Sequence, residues 1–196
     1  MRSAIADAYK SAWRFILPRK CREMHDAGLF DPQSKRYVDL GVFEVYGTAS
    51  IAKGDVFVSE MLIDGLVPIG GDSSGDAWCF EARRRIGGTM PVLACPHDGG
   101  GATYVAPSFA GFVYRLVLEN LLHAHIFEDK GIDHAALVRL TKKNLEILEP
   151  WLLGRWTRRA LTTLGGRWPT FKTFDAFMRE DRAFAQLPTD EIDHFR

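Results

Sequence analysis

A chain of 196 residues, 46% hydrophobic and 12% aromatic, has the length and apolar content to bury a core as one domain with a helical extension. Twenty-five Lys and Arg face 25 Asp and Glu, so the formal net charge of zero excludes a global field toward nucleic acid or an anionic membrane, and any charge-led partner must meet a local patch. Cys21, Cys79 and Cys95 are odd in number and form no C-x-x-C, which argues against a disulfide framework or zinc knuckle and for reduced thiols in a cytoplasm.

The opening "MRSAIADAYKSAWRF" carries Asp7 and Lys10 where a secretory signal needs an unbroken apolar stretch, and no run reaches membrane-span length. The expectation is a cytoplasmic protein without export signal or anchor. From Ala4 to Leu17, the residues Ile5, Tyr9, Ala12, Trp13, Ile16 and Leu17 draw an apolar helical stripe with Pro18 as its stop. "CREMHDAGLFDPQS" reads as a short helical turn ending at Gly28, and "RYVDLGVFEVYG" as a strand; the segment 50–65 reads as helix.

"LVPIG", "AWCFEA" and "MPVLACPH" are short apolar runs bounded by Gly and Asp, and "DGGGATYV" ends the set. Their close spacing predicts adjacent antiparallel strands. From Pro107 the period changes, with Pro107 or Ser108 placed to open a helix. Phe109, Phe112, Val113 and Leu116 share one face while Tyr114, Leu118 and Leu122 lie opposite, which predicts a helix covered on two sides. Helices through Glu149, from Trp151 to Leu164 and from Phe171 to Phe184 complete the chain. The fold class expected is α+β: a twisted antiparallel sheet flanked by helices in residues 1–130, with a helical extension, 131–196, packed on the same domain.

The glycine-rich loop in "VPIGGDSSGDAWCFEARRR" (67–85) invites a ligand reading. A phosphate loop needs G-x-x-x-x-G-K-[ST], whereas Gly70 to Gly75 has the wrong interval and Asp76 stands where a cation is wanted. A calcium loop needs glycine at its sixth position and Glu at its twelfth; Asp72, Ser74 and Asp76 alternate correctly, but the glycine falls fourth and no glutamate follows. Flanking alternation and turn-forming Gly70, Gly71, Asp72, Ser73 and Gly75 make it a hairpin with a long loop. Arg83, Arg84 and Arg85 read as a charged strand end that guards a solvated sheet edge.

Other chemistry-bearing residues give competing readings. His97 and Asp98 suggest a general base with an orienting acid, although neighbours on a strand point to opposite faces. Glu119 and His123, at i and i+4, form half of a metal site, while Asn120 and His123 also suit a helix face where each meets a backbone group. Between 139 and 172, Arg139, Lys142, Lys143, Arg155, Arg158, Arg159, Arg167 and Lys172 outnumber Glu146 and Glu149, a candidate nucleic-acid surface that the acidic residues after Asp175 would neutralise in space.

The order of parts "LVPIGGDSSGDAWCFEA", "MPVLACPHDGG" and "APSFAGFVYRLVLENLL" resembles the SUKH superfamily, the group of bacterial immunity proteins and fungal cell-wall regulators. Pro68, Ile69, Gly70, Gly75, Asp76, His97, Ser108, Phe109 and Phe112 carry the likeness over residues 60–122. The resemblance implies an α+β binding scaffold without catalysis. Its bacterial members look like antidotes that bind and block a toxin domain, often a nuclease or deaminase, released by neighbouring competitors. The expectation is therefore an immunity-type inhibitor of a toxin encoded nearby, needing no cofactor or metal, with no small-molecule substrate and no membrane or nucleic-acid partner. Asp72, Ser73, Ser74, Asp76, Arg83 and Arg84 are its expected partner contacts.

Overall fold

The first helix, α1 (Ala4–Trp13), buries Ile5 and Tyr9 along its apolar stripe. It ends four residues short of the expected Leu17, and the proline at 18 constrains only Leu17 itself. Arg14 turns left-handed, φ 51°, after which Phe15 and Leu17 point inward and Ile16 is 83% exposed, the alternation of an extended chain. Pro18 then serves as the N-cap of α2 (Arg19–Asp26), so it opens a helix rather than closing one. The computed structural model describes residues 3–41, 43–53, 65–98, 100–128, 131–165 and 168–189.

The expected strand over "RYVDLGVFEVYG" shrinks to β1 (Glu44–Val45). Asp39 is the reason: its side chain accepts the Gly41 N–H (2.9 Å) to make a turn, and its carbonyl receives the buried amides of Asn120 (3.1 Å) and Asn144 (3.2 Å). Side chains, not a ladder, satisfy this backbone. Helix α3 (Thr48–Lys53) follows; the remainder of the helix expected over 50–65 falls on residues 54–64, outside the described residues.

Four further strands, β2 (Leu66–Gly71), β3 (Ala77–Glu81), β4 (Val92–Cys95) and β5 (Thr103–Ala106), complete an antiparallel sheet in the order β1-β2-β3-β4-β5. This is the α+β meander that the strand spacing predicts. The β2–β3 register shifts between Pro68 and Gly70. Gly70 is required there because a Cβ would collide with the Glu44 carbonyl and the Phe43 ring as β1 crosses.

Helix α4 (Phe109–Glu119) opens on Ser108, whose hydroxyl accepts the Gly111 N–H at 3.1 Å. Phe109, Phe112, Val113, Tyr114, Leu116 and Leu118 are all buried, since α4 packs on β5, α2 and the following long helix. After α5 (Ala124–Glu128), helices α6 (His134–Leu148), α7 (Gly154–Leu164), α8 (Phe171–Arg179) and α9 (Arg182–Ala185) finish the chain. Their Leu145, Leu148, Trp156, Phe174, Met178 and Phe184 join the same apolar cluster as the sheet. Tyr114 fastens the two parts: its ring stacks on Trp156 with centroids 5.3 Å apart, and its hydroxyl donates to the Trp156 carbonyl at 3.1 Å. Among the described residues, no helix is long and apolar enough to cross a membrane.

Candidate functional site

An antiparallel meander sends alternate connections to opposite ends of the sheet. The β2–β3 and β4–β5 loops share one end, and β1 places Glu44 opposite Gly71 there. The β3–β4 turn and the β5–α4 junction share the other end.

At the first end the loop 72–76 satisfies itself. Asp72 Oδ1 accepts the N–H groups of Ser74 (2.9 Å) and Asp76 (3.1 Å), while the Asp72 N–H donates to the Asp76 carbonyl (3.1 Å). Gly75, at φ +96°, takes the backbone turn that a side chain would strain. Ser73 and Ser74 are exposed at the tip. The hairpin reading of this stretch is the structure's own.

Asp76 faces the β4–β5 loop. Its Oδ1 accepts both the His97 backbone N–H (3.0 Å) and the imidazole Nδ1 (2.7 Å). Hydrogen bonds from the His97 backbone and then its ring hold the Asp76 carboxyl below the usual carboxylate range. Reciprocally, the bond to Asp76, with the nearby charges of Asp76, Asp98 and Asp72, raises His97 above its ordinary value. The orienting acid for His97 is therefore Asp76, 21 residues away, and not the adjacent Asp98, whose carboxylate accepts the Gly100 N–H at 3.1 Å. His97 and Asp98 stand in the turn after β4 and not on a strand, and the Asp98 carboxylate is occupied within that turn. What the tip offers is a fixed array of carboxylates, with hydroxyls and the outer edge of one imidazole.

Arg83 and Arg84 do not belong to this array. They lie past the far end of β3, separated from Asp76 by roughly 14 Å of strand. β3 is also the central strand of the sheet, so these residues occupy the turn into β4 and guard no edge; β1 and β5 are the edges. Arg84 is exposed but anchored: it donates to the Tyr104 hydroxyl (2.8 Å) and lies over that ring at 5.2 Å. The Tyr104 hydroxyl in turn donates to Glu81 at 2.5 Å. Burial, with help from Glu81 and against Arg84, pushes the phenol up to about 12.

Glu119 and His123 also part company. Helix α4 ends at Glu119; the Glu119 carboxylate lies 3.7 Å from Arg115, and the His123 ring meets the Phe171 ring edge-on at 5.0 Å. Among the described residues, no three His, Cys, Asp or Glu side chains come together to hold a metal ion. Asn120, by contrast, bonds the Asp39 backbone as its helix face predicts.

The basic segment is partly spent within the fold. Arg155 makes two bonds to Asp181 (2.7 and 3.2 Å), and Arg159 pairs with Glu180 (2.8 Å), bonds the Phe177 carbonyl and covers the Phe177 ring at 3.9 Å. Burial raises the Asp181 carboxyl, but hydrogen bonds from Arg155 and the Ala183 N–H outweigh it and leave the pKa lowered. Arg139, Lys142, Lys143 and Arg158 remain exposed on α6 and α7, while Arg167 lies outside the described residues. Glu180 and Asp181, between α8 and α9, thus neutralise two of the cations. No family model, curated protein or solved structure matches the chain.

Proposed function

We propose that this chain is an immunity-type binding protein of the SUKH kind, which inhibits a toxin domain, a nuclease or deaminase, by covering its active site or substrate entrance with the acidic tip. The observation that carries this reading is the Asp76–His97 contact. The "PIG…GD" hairpin and the strand ending near a His are separate stretches of the pattern that resembles the superfamily. In this fold they meet at one carboxylate oxygen, which takes both bonds from His97, with Asp72, Ser73, Ser74 and Asp98 on the same two loops.

Such a loop suits inhibition for two physical reasons. Its backbone is ordered before any partner arrives, which lowers the entropy lost on binding. Its carboxylates complement the basic cleft in which a nuclease holds phosphates. Catalysis, a bound cofactor and a membrane role form no part of the proposal.

Co-expression with the toxin encoded by the adjacent reading frame tests it. The chain is expected to protect the host and co-purify with the toxin, and Asp72→Lys combined with Asp98→Lys should weaken the complex by about a hundredfold, since like charges then face each other. A toxin that kills regardless and forms no complex overturns the reading.

A further inference from the structure

At the end of the sheet opposite the acidic tip, a groove of about 650 Å³ opens between the β3–β4 turn and the first turns of α4, α7 and α9. Ile86, Leu153 and Trp156 give it an apolar floor, and Lys20, Arg155 and Arg182 stand along it. The ion pair with Asp181 offsets the charge of Arg155 and leaves Lys20 and Arg182 as the uncompensated cations among the described residues. The volume is that of an ordinary ligand or side-chain pocket.

Two of the three cations are held in place before anything binds. Lys20 Nζ donates to the Trp151 carbonyl at 2.5 Å. Arg155 is gripped by Asp181, which is itself only 7% exposed, yet half of the arginine side chain remains in solvent. Arg182 is exposed and makes no ion pair among the described residues. Pre-set donors lose little freedom when they meet an anion. Trp156 beneath them is fixed by stacking on Tyr114 and by Phe184 at 5.6 Å, so the floor is rigid as well.

We propose that this groove docks an acidic segment of a partner protein, with carboxylates on Lys20 and Arg182 beside the solvent-facing half of Arg155, and a large apolar side chain against the half-buried Leu153 next to Trp156. Charge complementarity selects the occupant: the site carries cations and apolar surface together. Those cations come from three different elements, α2, α7 and α9, which matches carboxylates spaced along a peptide better than one compact headgroup. The inference rests on the reading of the chain as a protein-binding module, and it gives that module a second contact of opposite sign.

Panning a random dodecapeptide library against the full chain tests it. The expected winners carry Asp or Glu beside Leu, Phe or Trp, shift the Trp156 indole resonance in an amide-proton spectrum, and weaken at least about tenfold on Arg182→Glu. Gln186→Trp, which crowds the mouth without altering charge, should weaken them too, with circular dichroism confirming that both variants are folded. Winners without acidic residues, or winners indifferent to both variants, overturn the proposal. So does binding of decanoate with refusal of every peptide, which assigns the groove to a lipid-like anion, or self-association abolished by the same variants, which assigns it to a second copy. The tip variants Asp72→Lys and Asp98→Lys should leave peptide binding unchanged. Toxin protection without peptide binding therefore sinks the groove alone, and peptide binding without protection sinks the toxin reading alone.

Discussion

The two ends of the sheet are built on opposite plans. At one, Asp72, Asp76 and Asp98 surround His97, and backbone hydrogen bonds hold the loop without an apolar anchor. At the other, Lys20, Arg155 and Arg182 stand over a floor whose rigidity comes from Trp156, wedged among Tyr114, Phe184 and Leu153. A formal net charge of zero therefore conceals two local fields of opposite sign. Net charge describes long-range attraction; which partner is recognised depends on where the charges sit.

The largest expected effect separates the two plans by stability. Trp156→Ala removes a side chain that is 2% exposed and is predicted to cost about 3–5 kcal/mol in urea denaturation, as large-to-small changes at buried aromatics do. Ser73→Ala at the exposed tip should stay within about 0.5 kcal/mol. Equal losses at the two positions would show that the tip is as deeply built into the core as the groove floor.

Histidines sharpen the contrast through pH. His25 on α2 packs against Phe30 (4.9 Å) and Phe109 (6.4 Å), and its Nε2 has no hydrogen-bond partner. Burial lowers its pKa to about 4, against a smaller upward pull from Asp26. The unfolded chain takes up this proton below ~6.5, whereas the fold resists until about 4. Stability is thus fully present above ~6.5 and lost as pH falls through that window, by roughly 3 kcal/mol at its lower end. His25→Phe should flatten the loss, read from melting temperatures between pH 7 and about 4. A wild-type stability that is level across that window contradicts the assignment to His25.

Much of this architecture is legible in the sequence because it is local. Strand runs bounded by Gly and Asp, Ser108 at a helix start and the two-faced pattern of Phe109 to Leu122 depend on neighbours a few residues apart. The end of α1 is not legible, since the apolar stripe runs on to Leu17 while the helix stops at Trp13 on a left-handed Arg14. The strand expected before β1 failed because Asn120 and Asn144, some eighty and a hundred residues onward, take the Asp39 carbonyl. The site divides the same way. The hairpin loop is a local object, but the partner of His97 is Asp76, 21 residues back, and Arg84 stands at the opposite end of β3 from the loop, neither of which a local spacing shows. Lys20, Ile86, Trp156 and Arg182 come from four separate parts of the chain, so nothing in a local period or motif announces their groove.

The smallest effect concerns the bond that defines the acidic tip. His97 is raised by Asp76 first and by Asp98 and Asp72 through space, so its share of stability is complete below ~6.5 and fades as pH rises through its raised pKa. Asp76, being lowered, contributes above ~4 and loses its share as pH falls through its own lowered value. The charged pair is accordingly at full strength between those limits, the range in which His25 works against the fold. Asp76→Asn keeps an oxygen able to accept from His97 but removes the charge, so the imidazole midpoint in a proton–nitrogen NMR titration should drop toward its ordinary value. Asp98→Asn should lower it less, because Asp98 makes no bond to the ring. If Asp98→Asn moved the midpoint as far as Asp76→Asn, the shift would come from the general acidity of the tip, and the bond would orient the imidazole without setting its charge.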